Sequence, residues 1–152
     1  MVEVGQQAPD VELNLPNGPV RLSSLKGKPV VVYFYPKDDT PGCTTEAKDF
    51  TALADQFAAA GVRVIGVSKD SAKRHANFAS KHALTVELAS DESGAVCEAF
   101  GVWVEKSLYG RKYMGIERAT FLIGADGMVV HVWPKVKVAG HAEAVLAAAK
   151  AI

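Results

Sequence analysis

The chain has two cysteines, and Cys43 stands in an unusual local sequence, Pro36-Lys-Asp-Asp-Thr-Pro-Gly-Cys43-Thr-Thr-Glu46. Pro41 and Gly42 read as a tight entry into a helix, with Cys43 in its first turn. A helix start offers unpaired N–H donors and a partial positive charge, which favour a thiolate over a thiol. The thiolate is a nucleophile, and the same N–H groups can hold negative charge developing on an attacked oxygen. On local physics alone Cys43 reads equally as a small apolar side chain packed into a helix start.

The surrounding elements say where such a turn would sit. Val30-Val-Val-Tyr-Phe-Tyr35 is a β-branched and aromatic run without polar alternation, as in a strand buried on both faces. After the Pro36–Gly42 turn, Ala47, Phe50, Ala54, Phe57 and Ala58 recur at helical spacing up to Gly61, a C-cap candidate. Val62–Val67 reads as a second buried strand. Asp70 or Ser71 can cap a helix to about His82, and a shorter helix follows Asp91 and stops near Gly101. Thr120–Ile123 and Met128–Trp133 flank Gly124-Ala-Asp-Gly127 as a hairpin, and a last helix starts near Gly140. Near the N-terminus, between Ala8 and Leu25, short strands are expected to turn at Asn17-Gly18.

This order predicts an α/β protein with a central mixed β-sheet flanked by helices and an N-terminal β-hairpin. The Cys43 turn falls at the C-terminal end of the first central strand, where α/β sheets usually place their sites. No repeat, linker or low-complexity tract divides the 152 residues, so one domain over 1–152 is expected. Lysine plus arginine equal aspartate plus glutamate at 17 each, so no net field favours nucleic acid or an anionic membrane. Met1-Val-Glu-Val-Gly-Gln-Gln7 carries an early acid and no long apolar core, so no signal peptide is expected. Two cysteines do not make a disulfide framework, and a reducing, cytoplasmic setting is the expectation.

Pro36, Thr40 and Cys43 match the Pro-x-x-x-Thr-x-x-Cys signature of peroxiredoxins. The wider string Phe34–Ala47 resembles the Q subfamily, also called bacterioferritin comigratory proteins. The resemblance extends through Cys97-Glu-Ala-Phe-Gly-Val-Trp103, Gly115-Ile-Glu-Arg-Ala-Thr-Phe-Leu-Ile123 and His131-Val-Trp-Pro-Lys-Val-Lys137. It implies a thioredoxin-like fold and a thiol-dependent peroxidase for hydrogen peroxide and small organic hydroperoxides, with no flavin, haem or metal. Cys43 would be the attacking cysteine, passing through a sulfenic acid. Thr40 would offer its hydroxyl to thiolate and peroxide, Pro36 would shield the pocket, and Arg118 would hold the thiolate and polarise the peroxide. Glu46 is read as a carboxylate orienting Arg118 or as an ordinary first-turn acid. Members of the subfamily are often monomers, and a monomer is expected.

The chain departs from the pattern at Lys48, where many members carry a resolving cysteine five residues after the first. Cys97 reads as a packed apolar residue rather than a resolving thiol. A one-cysteine cycle is therefore expected, with a thioredoxin-like or glutaredoxin-like protein or a small thiol as reductant. The alternatives are a Cys43–Cys97 cycle, or a peroxiredoxin-fold binding protein or holdase that no longer turns over. A Cys-x-x-Cys oxidoreductase is opposed by Glu46, and a cysteine hydrolase would need a histidine base beside Cys43. His75, His82, His131 and His141 read as exposed or structural, without metal-ligand spacing. Tyr35, Trp103, Tyr109 and Trp133 read as core and pocket wall, not as a stacking platform for nucleic acid.

Overall fold

The computed structural model describes residues 1–152. Strands β1 (Glu12–Leu15), β2 (Gly18–Arg21), β3 (Val30–Phe34), β4 (Arg63–Ser68), β5 (Glu87–Ser90), β8 (Ala119–Ile123) and β9 (Val129–Trp133) form one sheet. Its order is β2-β1-β5-β4-β3-β8-β9. β3, β4 and β5 run parallel, while β8 is antiparallel to β3, so the sheet is mixed as expected. Helices α1 (Pro41–Ala52) and α2 (Ala54–Ala59) make the first crossover, and α3 (Ala72–His82) the second. α4 (Ala95–Phe100) and α5 (His141–Lys150) follow, and β6 (Trp103–Leu108) and β7 (Arg111–Ile116) form a separate two-stranded ribbon.

β3 is central because all five of its residues are apolar or aromatic and buried. Its side chains alternate between two cores. Val30, Val32 and Phe34 join Leu13, Ile65, Val67, Phe121 and the α4 residues Val96, Cys97 and Phe100. Val31, Tyr33 and Tyr35 join Cys43, Phe50, Phe57, Phe78, Leu122 and the α5 residue Val145 on the other side. The sheet therefore separates the two cysteines.

Two local expectations need correction, and three strands lie where none is expected. Leu15 pairs with Gly18, so the first hairpin turns at Pro16-Asn17 and not at Asn17-Gly18. Proline's fixed φ suits the first central position of a turn, and that outweighs the Asn-Gly signal. The helix expected to run unbroken to Gly61 is interrupted at Leu53, whose ψ of 6° leaves the helical range, although Leu53 N–H still donates to Asp49 O. The β6–β7 ribbon was not foreseen, and neither was β5. The ribbon turns at Tyr109-Gly110, both at positive φ, so tyrosine hides a turn that Asn-Gly would announce.

Tyr109 is also not core: it is 95% exposed at the ribbon tip. Leu108, Tyr113 and Met114 of the same ribbon are exposed as well. Tyr35 is buried, whereas Trp103 and Trp133 are half-buried. Trp103 lies under the Lys69 ammonium, and Trp133 stacks on His131. No helix is long and apolar enough to cross a membrane.

Candidate active site

β3 ends at Phe34, and Tyr35 N–H extends the pairing by donating to Val67 O. Residues 36–40 then form the loop into α1. Thr40 has the extended φ and ψ of an N-cap, and Pro41 follows at the first helical position, where its missing N–H costs nothing. The first helical hydrogen bond runs from Thr44 N–H to Thr40 O. The amides of Gly42 and Cys43 thus precede the ladder and point their donors out of the helix start. Cys43 sits on the sheet-facing side of α1 with Glu46, Ala47 and Phe50, and is only 2% exposed.

Arg118, between β7 and β8, meets it from the opposite side. Its Nη2 donates to Cys43 Sγ at 3.2 Å, and its Nη1 donates to Glu46 Oε1 at 2.6 Å. Arg118 O accepts from Val136 N–H at 2.8 Å, which holds the backbone behind the guanidinium. Gly42 leaves room for this approach: a Cβ there would lie 3.3 Å from Arg118 Nη2. Glu46 is 1% exposed, its Oε2 has no partner, and burial lifts its carboxyl to about 7 against the pull of Arg118. Burial works against the Arg118 charge as well, but Glu46 and Cys43 together outweigh it and hold the guanidinium protonated.

The structure thus brings Cys43, Arg118 and Glu46 together, and Glu46 is a buried partner of Arg118 rather than an ordinary first-turn acid. Thr40 stands at the helix start, half-buried, with its hydroxyl donated to Lys37 O at 2.9 Å. Pro36 lies exposed on the rim of the loop. Lys48 is exposed on another face of α1 from Cys43. Cys97 lies fully buried in the opposite core, where its N–H and that of Val96 donate to Asp91. Burial and the Asp91 carboxylate push the Cys97 thiol far up. Neither cysteine is in a disulfide.

Two buried histidines flank this region. His141 Nε2 pairs with Thr120 Oγ1 at 2.8 Å, and burial with the nearby Arg118 charge pushes it down to about 4, so it stays neutral. His75 pairs with Asp38, which also accepts from the Tyr35 hydroxyl, on the outer side of the 36–40 loop. Spacing gave no hint of this network, because its members lie on three different elements. Asp38, Asp70 and His75 have ligand atoms within 4.8 Å of one another. Those atoms are already engaged: Asp70 Oδ2 accepts from Asp38 N–H and Ser68 Oγ, and His75 Nδ1 meets Asp38 Oδ2. The donor set fits a hydrogen-bond network better than a metal cage.

The AhpC/TSA family pattern matches residues 4–132. A putative peroxiredoxin from Coxiella burnetii is 53% identical over 92% of this chain and 93% of its own length. Peroxiredoxin Bcp of Xanthomonas campestris is 52% identical over 93% of this chain and 89% of its own. A solved structure of the X. campestris bacterioferritin comigratory protein, studied for its alkyl peroxide reduction activity, superposes with a TM-score of 0.91. It is 49% identical and covers 98% of both chains. Fold and comparisons together define a thioredoxin-like peroxiredoxin, an enzyme class. The chain belongs to the AhpC/TSA family, in its peroxiredoxin Q, or bacterioferritin comigratory, branch.

Proposed function

We propose that this peroxiredoxin reduces hydrogen peroxide and small organic hydroperoxides through Cys43, in a one-cysteine cycle that spans a single domain over residues 1–152. The observation that carries the reading is Arg118, whose guanidinium joins Cys43 Sγ to Glu46 at the open start of α1. The Cys43 thiolate attacks the nearer peroxide oxygen; an S–O bond forms and the O–O bond breaks. Sulfur is oxidised to a sulfenic acid, and the departing oxygen is reduced and takes up a proton to leave as water or an alcohol. Arg118 and the Gly42 and Cys43 amides stabilise the negative charge that moves from sulfur to oxygen. Thr40 donates to or accepts from the bound peroxide at the helix start, and Pro36 keeps water from the rim.

Two observations support the single cysteine. Lys48 cannot form a disulfide and faces solvent, and Cys97 lies across the central sheet from Cys43. An external thiol must then reduce the sulfenic acid, forming a mixed disulfide and water before a second thiol releases Cys43. A thioredoxin-like or glutaredoxin-like protein or a small thiol fits this step, in a reducing cytoplasm, with the enzyme a monomer. The test is intact mass after one equivalent of hydrogen peroxide, with and without a sulfenic-acid trap. A trapped adduct on Cys43 with Cys97 free is the expected result, and Cys43→Ser should lower peroxide turnover by about a thousandfold or more. Loss of both thiols without an adduct would overturn the one-cysteine cycle, and an unreactive Cys43 would overturn the peroxidase reading.

A further inference from the structure

The loop of residues 36–40 has no regular structure, yet it sets where Thr40 and the start of α1 stand. Its outer anchors all come from α3 and the turn before it. Asp38 N–H donates to Asp70 Oδ2 at 2.8 Å. Asp39, at φ 60°, pairs with Lys81 Nζ and His82 Nε2, each at 2.7 Å. The Asp39–Lys81 pair is at the surface and weak in water. The exception is Asp38, which is 3% exposed although Pro36, Lys37 and Asp39 around it are all exposed.

Asp38 turns inward to meet two side chains. Oδ1 accepts from Tyr35 Oη at 2.5 Å, and Oδ2 lies 2.6 Å from His75 Nδ1. His75 is 2% exposed, and its other nitrogen, Nε2, is 3.0 Å from Ala89 O. A carbonyl only accepts, so Nε2 carries a hydrogen and donates. Burial pushes the Tyr35 phenol far up, so its hydroxyl keeps its proton and donates as well. The hydrogen bonds run from β5 at Ala89, through His75, to Asp38. Asp38 lies two residues before Thr40, the N-cap of α1, and Cys43 is in the first turn of that helix. Arg118 approaches from the β7–β8 connection on the other side of Cys43.

We propose that Asp38 and His75 are positioning residues of the peroxidase: their buried pair locks the loop so that Thr40 and the α1 start face Cys43 and Arg118 in reactive geometry. The proposal rests on the peroxidase reading above. A displacement of a reacting group by about 1 Å can cost about a hundredfold in rate, so a loop tied at one buried carboxylate is a sensitive point. The two histidine nitrogens have separate tasks. Nδ1 holds the loop, whereas Nε2 ties His75 to the sheet.

That division gives a test that simple packing would not pass. Asparagine places an amide nitrogen near the position of Nδ1, and glutamine places one near Nε2. Variants H75N, H75Q and Y35F are compared with the wild type in three measurements: the single-turnover rate of Cys43 oxidation by hydrogen peroxide, the rate of alkylation by iodoacetamide, and Tm. H75Q, which abandons the loop, is expected to lose about tenfold or more in the peroxide rate while alkylation stays nearly unchanged, and H75N is expected to recover most of that loss. Y35F keeps the ring volume and should lose about threefold with little change in Tm, because one Asp38 oxygen loses its donor. Equal peroxide rates in H75N and H75Q, or losses in both that only follow Tm, would overturn the proposal. Should neither histidine variant fold, a wild-type rate in Y35F would overturn it alone. A wild-type Cys43 that ignores peroxide altogether would instead sink the underlying peroxidase reading.

Discussion

Arg118 reaches Cys43 and Glu46 through two different nitrogens of one rigid, planar group, and lysine could not make both contacts at once. Glu46 brings a titrating charge into that pair. Its ordinary value is 4.5, and burial lifts it to about 7 in the folded protein. Between those values the unfolded chain has released the proton while the folded protein still holds it, so stability falls as pH rises through the window. Below 4.5 both states hold the proton and the contribution to stability is intact; above about 7 both have lost it and nothing further changes. Glu46→Gln keeps an oxygen for Arg118 and removes the titration. Tm measured at several pH values should therefore show the wild type losing ground to the variant between 4.5 and about 7. A constant difference across that range would refute the shifted carboxyl. Pro41 and Gly42 are local signals that place Cys43 at a helix start, whereas its reading as the attacking cysteine came from the family resemblance. Glu46 was ambiguous, because burial depends on what packs over α1.

The strands and helices hold the site through a few close contacts. Tyr33 stacks on Phe50 of α1 with ring centroids 4.6 Å apart, which seats the helix bearing Cys43 on β3. Gly66 of β4 makes this possible, since a Cβ there would lie 2.6 Å from Tyr33 Cζ and 2.7 Å from Oη. Tyr33 is 1% exposed and has little room to retreat. Gly66→Ala is accordingly expected to destabilise the protein by about 1–3 kcal/mol, read as a lower urea midpoint. An unchanged midpoint would show that the ring can move. β3, β4, β8, β9, α3 and α5 were legible because their periodicity and caps are local; Ser71 accepts from Arg74 N–H as a helix cap should. β5 and the β6–β7 ribbon were not. β5 is four residues long, and the ribbon leaves most of its residues exposed, so neither shows the alternation that marks a half-buried strand.

On the scale of the molecule, the sheet divides the interior into two cores with one cysteine in each. A Cys43–Cys97 disulfide would require both sulfurs to leave buried positions in opposite cores. Disulfide formation needs Cα atoms within roughly 7 Å, so this would amount to local unfolding on both faces. Cys97→Ala should therefore leave peroxide turnover with a small thiol unchanged, and the oxidised wild type should keep Cys97 free in peptide mass mapping. Lost turnover together with a Cys43–Cys97 crosslinked peptide in the wild type would reverse the assignment. Cys43 itself is 2% exposed, which suits a small peroxide. A protein reductant would have to act on an opened first turn of α1.

Chain chemistry and periodicity by themselves determined the α/β order, the central β3 strand and the placement of Cys43 at a helix start, because each depends on neighbours within a few residues. Family resemblance added Arg118 and Thr40 as candidates. Only the tertiary structure decided that Arg118 reaches Glu46 and Cys43 across 72 and 75 residues of sequence, that Cys97 faces the other core, and that His75 holds Asp38. Those contacts join side chains from separate elements. Their distances follow from sheet order, crossover and register, which no local pattern of residues specifies.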